Sequence, residues 1–355
     1  MKKQLEITKM RQRLLNWYDQ EGRELPWRVR PQARAAGQIA DPYAVWLSEI
    51  MLQQTTVPHA APYWQKFLEA FPDVTDLANA ERDTVLAMWA GLGYYARARN
   101  LHKCAKMISE EFGGEFPNSE AELLKLPGIG PYTAATIAAI CFDEATNIVD
   151  GNVQRVVSRI FKIEDPLPKG QKTYRDHAAT LASPQRAGDY GQALMDLGAT
   201  ICIPRSPKCA VCPWQPHCAA FKDGQQAKYP KKTKKAKLPL RRGAVFVLFS
   251  GGQVLLERRP DKGLLGGMMG FPGTPWGARP AAPLGAAPMK RNWEKCEGEV
   301  RHIFTHFDLR LDVYTAQIKE TSKETIDGEW AKLAEIKSYA LPSVMTKCLS
   351  LAGKA

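Results

Sequence analysis

Apolar residues between positions 41 and 199 recur every three or four residues, in short segments that proline and glycine separate. This spacing places them on one face of a helix, and few of the alternations typical of strands interrupt it. A similar segment lies near the N-terminus. The pattern predicts an all-α domain with helices at 7–21, 43–56, 79–89, 94–112, 131–142 and 153–161.

The pattern changes after a basic segment at 228–242, where short apolar runs replace the helical spacing. Two such runs flank the letters SGGQ, which are typical of a hairpin turn. The pattern predicts strands at 244–249, 254–257 and within 303–318, a loop at 279–288, and helices at 331–336 and 342–351. The chain is therefore expected to be multidomain, with an all-α domain at 1–227, a basic linker at 228–242 and an α+β domain at 243–355.

Composition is that of an ordinary globular protein, with 45% hydrophobic and 24% charged residues among 355. No uninterrupted apolar stretch approaches the roughly 20 residues that a membrane-spanning helix needs. The start lacks the apolar region of a secretory signal, and eight cysteines are too few for a disulfide scaffold. We therefore expect a soluble cytoplasmic protein without a membrane partner.

The net charge of +12 is unevenly distributed. Residues 1–227 hold 26 basic against 25 acidic side chains, whereas residues 228–355 hold 23 against 12. Eight of these basic residues lie within 228–242, which contains no acid. Such a segment is either only a solvated linker or a linker that also follows a phosphate backbone, where clustered cations release counterions on binding.

Four cysteines lie close together, at Cys202, Cys209, Cys212 and Cys218. Four thiolates on one short loop form a ligand set for zinc or for an iron–sulfur cluster. The spacing matches neither paired zinc knuckles nor the common ferredoxin patterns. It therefore predicts a metal centre without choosing between the two.

Three other motifs are ambiguous when each is taken alone. The letters LPGIG, with Gly128 and Gly130, suit either an ordinary helix–helix turn or a turn that holds a phosphate at a helix N-terminus. Asp150 precedes a helix and could simply cap it. Glu49 lies mid-helix among apolar residues, so it is either exposed or buried with a raised pKa, and only the second would make it a general acid.

These motifs occur in a fixed order over residues 45–218: VWLSEIMLQQT, GLGYY, LPGIGPYTA, VDGNVQRV and the cysteine loop. The sequence thereby resembles the helix-hairpin-helix DNA glycosylases with an iron–sulfur cluster, and more narrowly the adenine DNA glycosylases of the MutY family. The resemblance implies a helix-hairpin-helix glycosylase domain with a [4Fe–4S] cluster on the loop at 202–218. It also implies that 243–355 is a Nudix-like recognition domain.

The resemblance assigns catalytic roles to three residues. Glu49 would protonate the departing adenine, and Asp150 would stabilise the oxocarbenium-like sugar, which requires a raised pKa for Glu49 and an ionised Asp150. Tyr132 stands where the endonuclease III branch has the lysine that forms a Schiff base. Because tyrosine cannot form one, we expect a monofunctional glycosylase that leaves an abasic site.

The resemblance also implies how DNA is contacted. Gln54 and Tyr94 would fill the space left by an extruded adenine, although Tyr94 could also be a core residue. Arg205 and Lys208 in the cysteine loop are placed to meet phosphates. The cluster would hold this loop rather than take part in bond cleavage.

The second domain lacks the glutamate-rich metal box of a Nudix hydrolase, although 263–273 is glycine-rich in a similar way. We therefore expect it to bind without hydrolysing. Phe304, Thr305 and His306 correspond to the family's Phe-Ser-His loop, which senses 8-oxoguanine, and threonine keeps the hydroxyl of serine. The same residues could also be an ordinary strand end.

The expected function is excision of adenine opposite 8-oxoguanine or guanine in double-stranded DNA. We expect a monomer in the cytoplasm, associated with the nucleoid if the source is bacterial. Two alternatives remain open: an endonuclease III-like glycosylase for other lesions, and a catalytically silent lesion-binding protein. A nucleotide-pool hydrolase is excluded because the acidic box is missing.

Overall fold

The computed structural model describes residues 2–233, 237–260, 263–277, 282–320 and 326–353, with side chains from residue 4 onward. The chain groups into two compact units. The first unit comprises Met1–Ala78 and Lys103–Lys235, and the second unit comprises Asn79–His102 and Ala236–Ala355. The chain therefore leaves the first unit at Asn79 and re-enters it at Lys103.

The first unit is built from helices, as the hydrophobic spacing predicts. Helices α5 and α7 each carry residues of both units. The helices that lie in the first unit or extend into it are α1 Lys2–Glu21, α2 Pro31–Ala35, α3 Pro42–Met51, α4 Val57–Ala70, α5 Val74–Asn79, α7 Ala96–Phe112, α8 Glu120–Leu123, α9 Pro131–Phe142, α10 Gly151–Phe161, α11 Gln171–Leu181, α12 Ala187–Asp196 and α13 Ala219–Lys222.

Two helix boundaries differ from the predicted ones for identifiable reasons. The helix predicted at 43–56 ends at Met51, because Gln54 has a φ of 63° and cannot continue a right-handed helix. A separate helix, α4, then begins at Val57 with a proline in its first turn. The helix predicted at 79–89 is likewise divided, since α5 ends at Asn79 and a new helix begins at Arg82.

The core of the first unit surrounds α9, which is buried on nearly every side from Thr133 to Cys141. Its alanines allow α12 to come very close. A Cβ added to Gly188 of α12 would lie 2.6 Å from the carbonyl oxygen of Ala139. Only glycine therefore permits the observed contact between the two helix backbones.

The second unit contains helix α6 Arg82–Met88, the start of α7, helix α14 Ser343–Ala352 and a mixed sheet. The strands are β1 Leu240–Ser250, β2 Gln253–Arg258, β3 Met269–Gly270, β4 Glu294–Lys295, β5 Val300–Ile303, β6 Asp308–Gln317 and β7 Glu329–Lys332. The sheet order is β3-β2-β1-β6-β4, with β5 also paired to β6 and β7 to β2. Strands β1 and β6 run parallel over ten residue pairs. The predicted α+β class is confirmed.

Contacts within the second unit join its helical segment, 79–102, to residues of its C-terminal segment. Arg258 pairs with Asp83 at 2.6 Å between Nη2 and Oδ2. Arg99 donates from Nη1 to the carbonyl oxygen of Gly266 at 2.5 Å. These contacts explain why 79–102 belongs to this unit although it lies far away in sequence.

The helix predicted at 331–336 is wrong in its first two residues, and the remainder is a 3₁₀ helix. Residues Glu329–Lys332 form β7, which pairs with β2, and a 3₁₀ helix follows at Leu333–Ser338. Short apolar runs do not distinguish a strand from a helix, and pairing with β2 decides in favour of the strand. Within the loop predicted at 279–288, Pro283–Ala286 is a short 3₁₀ helix, and 279–281 lie outside the described residues. In the described parts of the chain, no helix is long and apolar enough to cross a membrane.

Candidate active site and DNA-contacting residues

Helix α3 places the Glu49 side chain in the interior of the first unit. Asp41 caps the helix by accepting from the backbone N–H of Tyr43 at 2.9 Å, and Pro42 occupies the first turn. Every residue from Val45 to Met51 is buried, and Glu49 is only 7% exposed. Of the two possibilities left by the sequence, Glu49 is therefore the buried carboxyl.

The surroundings of Glu49 bring its pKa close to neutral pH. Burial and the charge of Asp150 raise its pKa, whereas a hydrogen bond with Tyr132 and the charge of Arg28 lower it, and the net result is a rise from 4.5 to about 7. A carboxyl with such a pKa can both give and take a proton near pH 7. This is the property that a general acid and base needs.

Tyr132 lies in the first turn of α9, after Gly130 and Pro131. Its side chain hydrogen-bonds with Glu49, and its hydroxyl lies 3.3 Å from Sδ of Met195. Burial, together with Glu49 and Asp150, raises the pKa of Tyr132 well above its usual value. The phenol therefore stays neutral and able to donate.

Asp150 caps helix α10. Its Oδ1 accepts from the backbone N–H of Val153 at 2.7 Å, and its Oδ2 accepts from the side-chain amide of Asn152 at 2.8 Å. Burial raises the pKa of Asp150, and these hydrogen bonds and the charge of Arg155 oppose that rise. Burial thus raises the pKa of both carboxyls, whereas we expected a raised pKa for Glu49 alone. The hydrogen-bond donors around Asp150 favour its ionised form.

Arg28 also belongs to this site, because its charge acts on Glu49, and no sequence motif indicates it. Its guanidinium pairs with Asp196 at 2.8 and 3.0 Å, and Arg23 pairs with the same carboxylate at 2.7 Å. Asp196 is fully buried. A carboxylate within the apolar letters ALMDLG requires a cationic partner, so Asp196 is the signal that could have revealed Arg28.

The four cysteines line one cavity in the first unit. Among the described residues, no group of three or more His, Cys, Asp or Glu side chains converges on the position of a single metal ion. The rest of the wall is mostly apolar and includes Ile160, Leu197, Ile201, Trp214 and Phe221.

Two arginines from α10 hold the start of the cysteine loop. Arg159 donates to Sγ of Cys202 at 3.3 Å and to the carbonyl oxygen of Ile203 at 2.8 Å. Arg155 donates to the carbonyl oxygen of Cys202 at 2.7 Å and to the side-chain oxygen of Asn152 at 2.7 Å. Because Asn152 also bonds Asp150, a chain of hydrogen bonds joins Cys202 to the candidate catalytic carboxylate.

The LPGIG turn leaves the N-terminus of α9 open. Gly128 has a φ of 79°, which favours glycine strongly, and Gly130 is the capping residue. A Cβ added to Gly130 would meet no atom within 4 Å, so a ligand can approach the backbone there. Gln54 and, in the cysteine loop, Arg205 and Lys208 are all exposed.

In the second unit, Tyr94 and Thr305 meet. Tyr94 is 52% exposed, so it is not a core residue, and its hydroxyl lies 3.0 Å from Oγ1 of Thr305. Thr305 lies in the turn between β5 and β6 rather than at a strand end, and His306 beside it is also exposed. Phe304 anchors this turn by packing on Phe307 with ring centroids 4.9 Å apart.

Nine of the sixteen predicted residues form three groups. Glu49, Tyr132 and Asp150 form one site in the first unit, the four cysteines line one cavity there, and Tyr94 joins Thr305 in the second unit.

Two family models match the chain. Residues 47–180 match the HhH-GPD superfamily of base excision DNA repair proteins, and residues 244–351 match the NUDIX domain. The adenine DNA glycosylase of Mus musculus is 34% identical over 408 residues, which cover 96% of this chain and 77% of the mouse protein. That of Buchnera aphidicola subsp. Schizaphis graminum is 34% identical over 354 residues, with 96% and 97% covered.

Solved structures agree with these matches. A thermostable thymine-DNA glycosylase superposes with a TM-score of 0.55 at 27% identity and covers 63% of this chain and 100% of its own. Endonuclease III in a non-covalent DNA complex gives a TM-score of 0.51 at 19% identity, covering 64% of this chain and 99% of its own. The second likeness shows a shared fold.

Proposed function

The chain belongs to the adenine DNA glycosylase family and is a base-excision repair glycosylase, and from this premise we propose that it removes adenine opposite 8-oxoguanine or guanine in double-stranded DNA. The observation that carries the proposal is the buried Glu49, whose pKa of about 7 is shaped by Tyr132 and Asp150. An acid of this kind suits a leaving group that departs only after protonation.

In the proposed reaction, Glu49 gives its proton to a ring nitrogen of adenine. The bond between the sugar C1′ and the base nitrogen then breaks, and its electron pair leaves with the neutral base. The ionised form of Asp150 stabilises the resulting oxocarbenium-like sugar, as paired carboxylates do in glycoside hydrolysis. Water then adds to C1′ and returns a proton to Glu49, which leaves an abasic site.

Tyr132 supports a monofunctional enzyme. A glycosylase that also cuts the strand uses an amine to form a Schiff base, and a phenol whose pKa lies far above 10 cannot replace it. Tyr132 instead orients Glu49 by hydrogen bonding. We therefore propose that strand cleavage requires a later step or added alkali.

We propose a [4Fe–4S] cluster as the cofactor of the cysteine cavity. Four thiols line one largely apolar cavity, and cysteine thiolates are the usual ligands of iron–sulfur clusters. When bound, the cluster would cross-link the loop that carries Arg205 and Lys208. Cys202, Cys209, Cys212 and Cys218 would hold it, and iron and sulfide analysis of the purified protein would test this.

The proposed DNA contacts are made by exposed residues of the chain. We propose that Gly128 and Gly130 admit a phosphate to the N-terminus of α9, and that Arg205 and Lys208 meet further phosphates. Gln54 and Tyr94 would occupy the space that the extruded adenine leaves. We further propose that the enzyme acts as a monomer in the compartment that holds the DNA.

The turn that carries Phe304, Thr305 and His306 is the proposed reader of 8-oxoguanine. Thr305→Ala should lower the excision rate opposite 8-oxoguanine more than the rate opposite guanine, because only the oxidised base would lose a hydroxyl contact. Thr305→Ser is the matched control and should retain the preference. Equal losses on both substrates would contradict the assignment.

The decisive experiment is single-turnover excision from a duplex with one adenine opposite 8-oxoguanine, using the unmodified protein and Glu49→Gln. We expect strand cleavage at the adenine only after alkali treatment, and none with the variant. Tight binding without any excision would favour a lesion-binding protein. Cleavage without alkali would favour an endonuclease III-like enzyme.

A further inference from the structure

Arg97 lies in the first turn of α7 and contacts the segment that carries Tyr94. Its Nη2 donates to the carbonyl oxygens of Leu92 and Gly93, at 3.0 and 3.1 Å. Its guanidinium carbon lies 5.2 Å from the ring centroid of Trp89 and 5.7 Å from that of Tyr94. One side chain therefore contacts the backbone before Tyr94, the ring of Tyr94 and the buried indole beneath the turn.

The backbone held in this way is unusual. Tyr94 has a φ of 50°, in the left-handed region that a tyrosine adopts rarely, and Gly91 and Gly93 have φ values of 108° and 70°. The carbonyl oxygen of Gly93 also accepts from Nε1 of Trp89 at 3.1 Å. An exposed aromatic residue in such a conformation requires several contacts to keep it there.

We propose that Arg97 is the positioning residue for the DNA-inserting side chain Tyr94, an inference that rests on the role of Tyr94 in the proposed function. The guanidinium fixes the left-handed turn through two carbonyl oxygens and fixes the direction of the ring through its face. Tyr94 would then enter the base stack without first losing conformational freedom, so its contacts contribute fully to base extrusion. Arg97 itself touches neither the base nor the reacting sugar.

The chemistry of arginine suits this role better than that of lysine. A planar guanidinium can donate to two carbonyl oxygens from its edge while its face lies on aromatic rings. An ammonium is a compact charge and cannot keep all of these contacts at once. Burial lowers the pKa of Arg97 to about 10, so the group remains cationic at neutral pH.

A double-mutant cycle tests the proposal. Tyr94→Ala, Arg97→Gln and the double variant are each prepared with Glu49→Gln, so that no base is cut. Each binds a duplex with 2-aminopurine opposite 8-oxoguanine, and the rise in fluorescence reports unstacking of that base. Arg97→Gln should reduce this rise at least fivefold, to within twofold of Tyr94→Ala, and the double variant should lose nothing more.

Controls separate positioning from a loss of charge or of folding. Lys106→Gln removes one charge from the same helix, nine residues further on, and should leave the fluorescence rise unchanged. Arg97→Lys should fall between the unmodified residue and Arg97→Gln. If Arg97→Gln does not fold, the same cycle is run with Arg97→Lys, whose loss must vanish in the Tyr94→Ala background.

The proposal is overturned if the protein with Arg97→Gln gives the same fluorescence rise as the protein with Arg97. It is overturned as well if Arg97→Gln reduces the fluorescence rise as much in the Tyr94→Ala background as in the presence of Tyr94. It is also overturned if Tyr94→Ala itself has no effect. The excision assay on the unmodified protein decides the proposed function separately. A protein that removes no adenine but unstacks 2-aminopurine through Arg97 would refute the function and leave this inference standing.

Discussion

Glu49 combines two properties at the scale of the single residue: it is almost inaccessible, and it remains hydrogen-bonded to Tyr132. We predict that the single-turnover excision rate falls tenfold per pH unit above about pH 7, because the proton that Glu49 must give is lost there. Tyr132→Phe removes a hydrogen bond that lowers the pKa of Glu49. The pKa of Glu49 should therefore rise in this variant, so the falling limb of the pH profile should move to higher pH.

The control for that shift is the binding of uncleavable duplex, whose pH dependence should be the same for the unmodified protein and for Tyr132→Phe. A falling limb that stays in place in the variant would mean that the hydrogen bond does not set the acid's pKa.

Burial of Glu49 also has a thermodynamic consequence. A carboxyl whose pKa is about 7 when folded and 4.5 when unfolded destabilises the folded state progressively as pH rises between those values. Glutamine carries no charge. The stability of Glu49→Gln relative to the unmodified protein should therefore increase by up to about 3 kcal/mol between pH 4.5 and pH 7.5. Urea unfolding at both pH values measures this, and a constant difference would contradict it.

The sequence predicted roles for these residues but not all of their surroundings. The motif around Glu49 indicates a carboxyl in an apolar helix, and burial is what makes it an acid near pH 7. Arg28 was missed because its partner, Asp196, lies 168 residues away and only the fold joins them. For the same reason the sequence did not show that burial raises the pKa of Asp150 as well.

At the scale of the element, the contact between α9 and α12 depends on one glycine. Gly188→Ala would place a Cβ 2.6 Å from the carbonyl oxygen of Ala139 and 2.9 Å from Cα of Ile140. Backbone atoms cannot rotate away, so we predict a loss of about 1–3 kcal/mol in the free energy of unfolding. Urea titration of the variant provides the measurement.

Gly151→Ala is the matched control for this prediction. Gly151 begins α10, and a Cβ there would meet no atom within 4 Å. Alanine should be neutral or stabilise by about 0.5–1 kcal/mol, because glycine loses more chain entropy on folding. If both variants were destabilised equally, the close contact would not be the cause.

Sequence patterns predicted long elements better than short ones. The spacing of Val153, Val156, Val157 and Ile160 specifies α10 without help from the rest of the fold. Residues 331–336 carry too few apolar positions for either period, and only the pairing of Ala331 with Val254 makes their beginning a strand. Helix ends such as Met51 depend on a local φ that apolar spacing does not encode.

At the scale of the whole molecule, the excess of positive charge lies within 228–242 and beyond. We predict that this basic segment neutralises DNA phosphates. Replacing the exposed Lys228, Lys232 and Lys237 with glutamine should reduce the slope of log K against log salt by about 0.9 per lysine that meets a phosphate. Fluorescence anisotropy with a labelled duplex at several salt concentrations measures the slope.

Lys172→Gln provides the comparison for this triple variant, because Lys172 is exposed and paired with Asp176 at 2.7 Å. It should leave the slope nearly unchanged. A triple variant with an unchanged slope would mean that the basic segment is only a solvated linker, the alternative that the sequence left open.

Residues 79–102 belong to the second unit, whose other residues are synthesised much later, and this has a consequence for synthesis on the ribosome. Asp83, Tyr94 and Arg99 emerge early, yet their partners Arg258, Thr305 and Gly266 follow more than 160 residues later. At roughly 5–20 residues per second, this part of the chain waits on the order of ten seconds or longer. A message truncated before codon 258 would therefore yield a protein in which residues 79–102 never acquire these contacts.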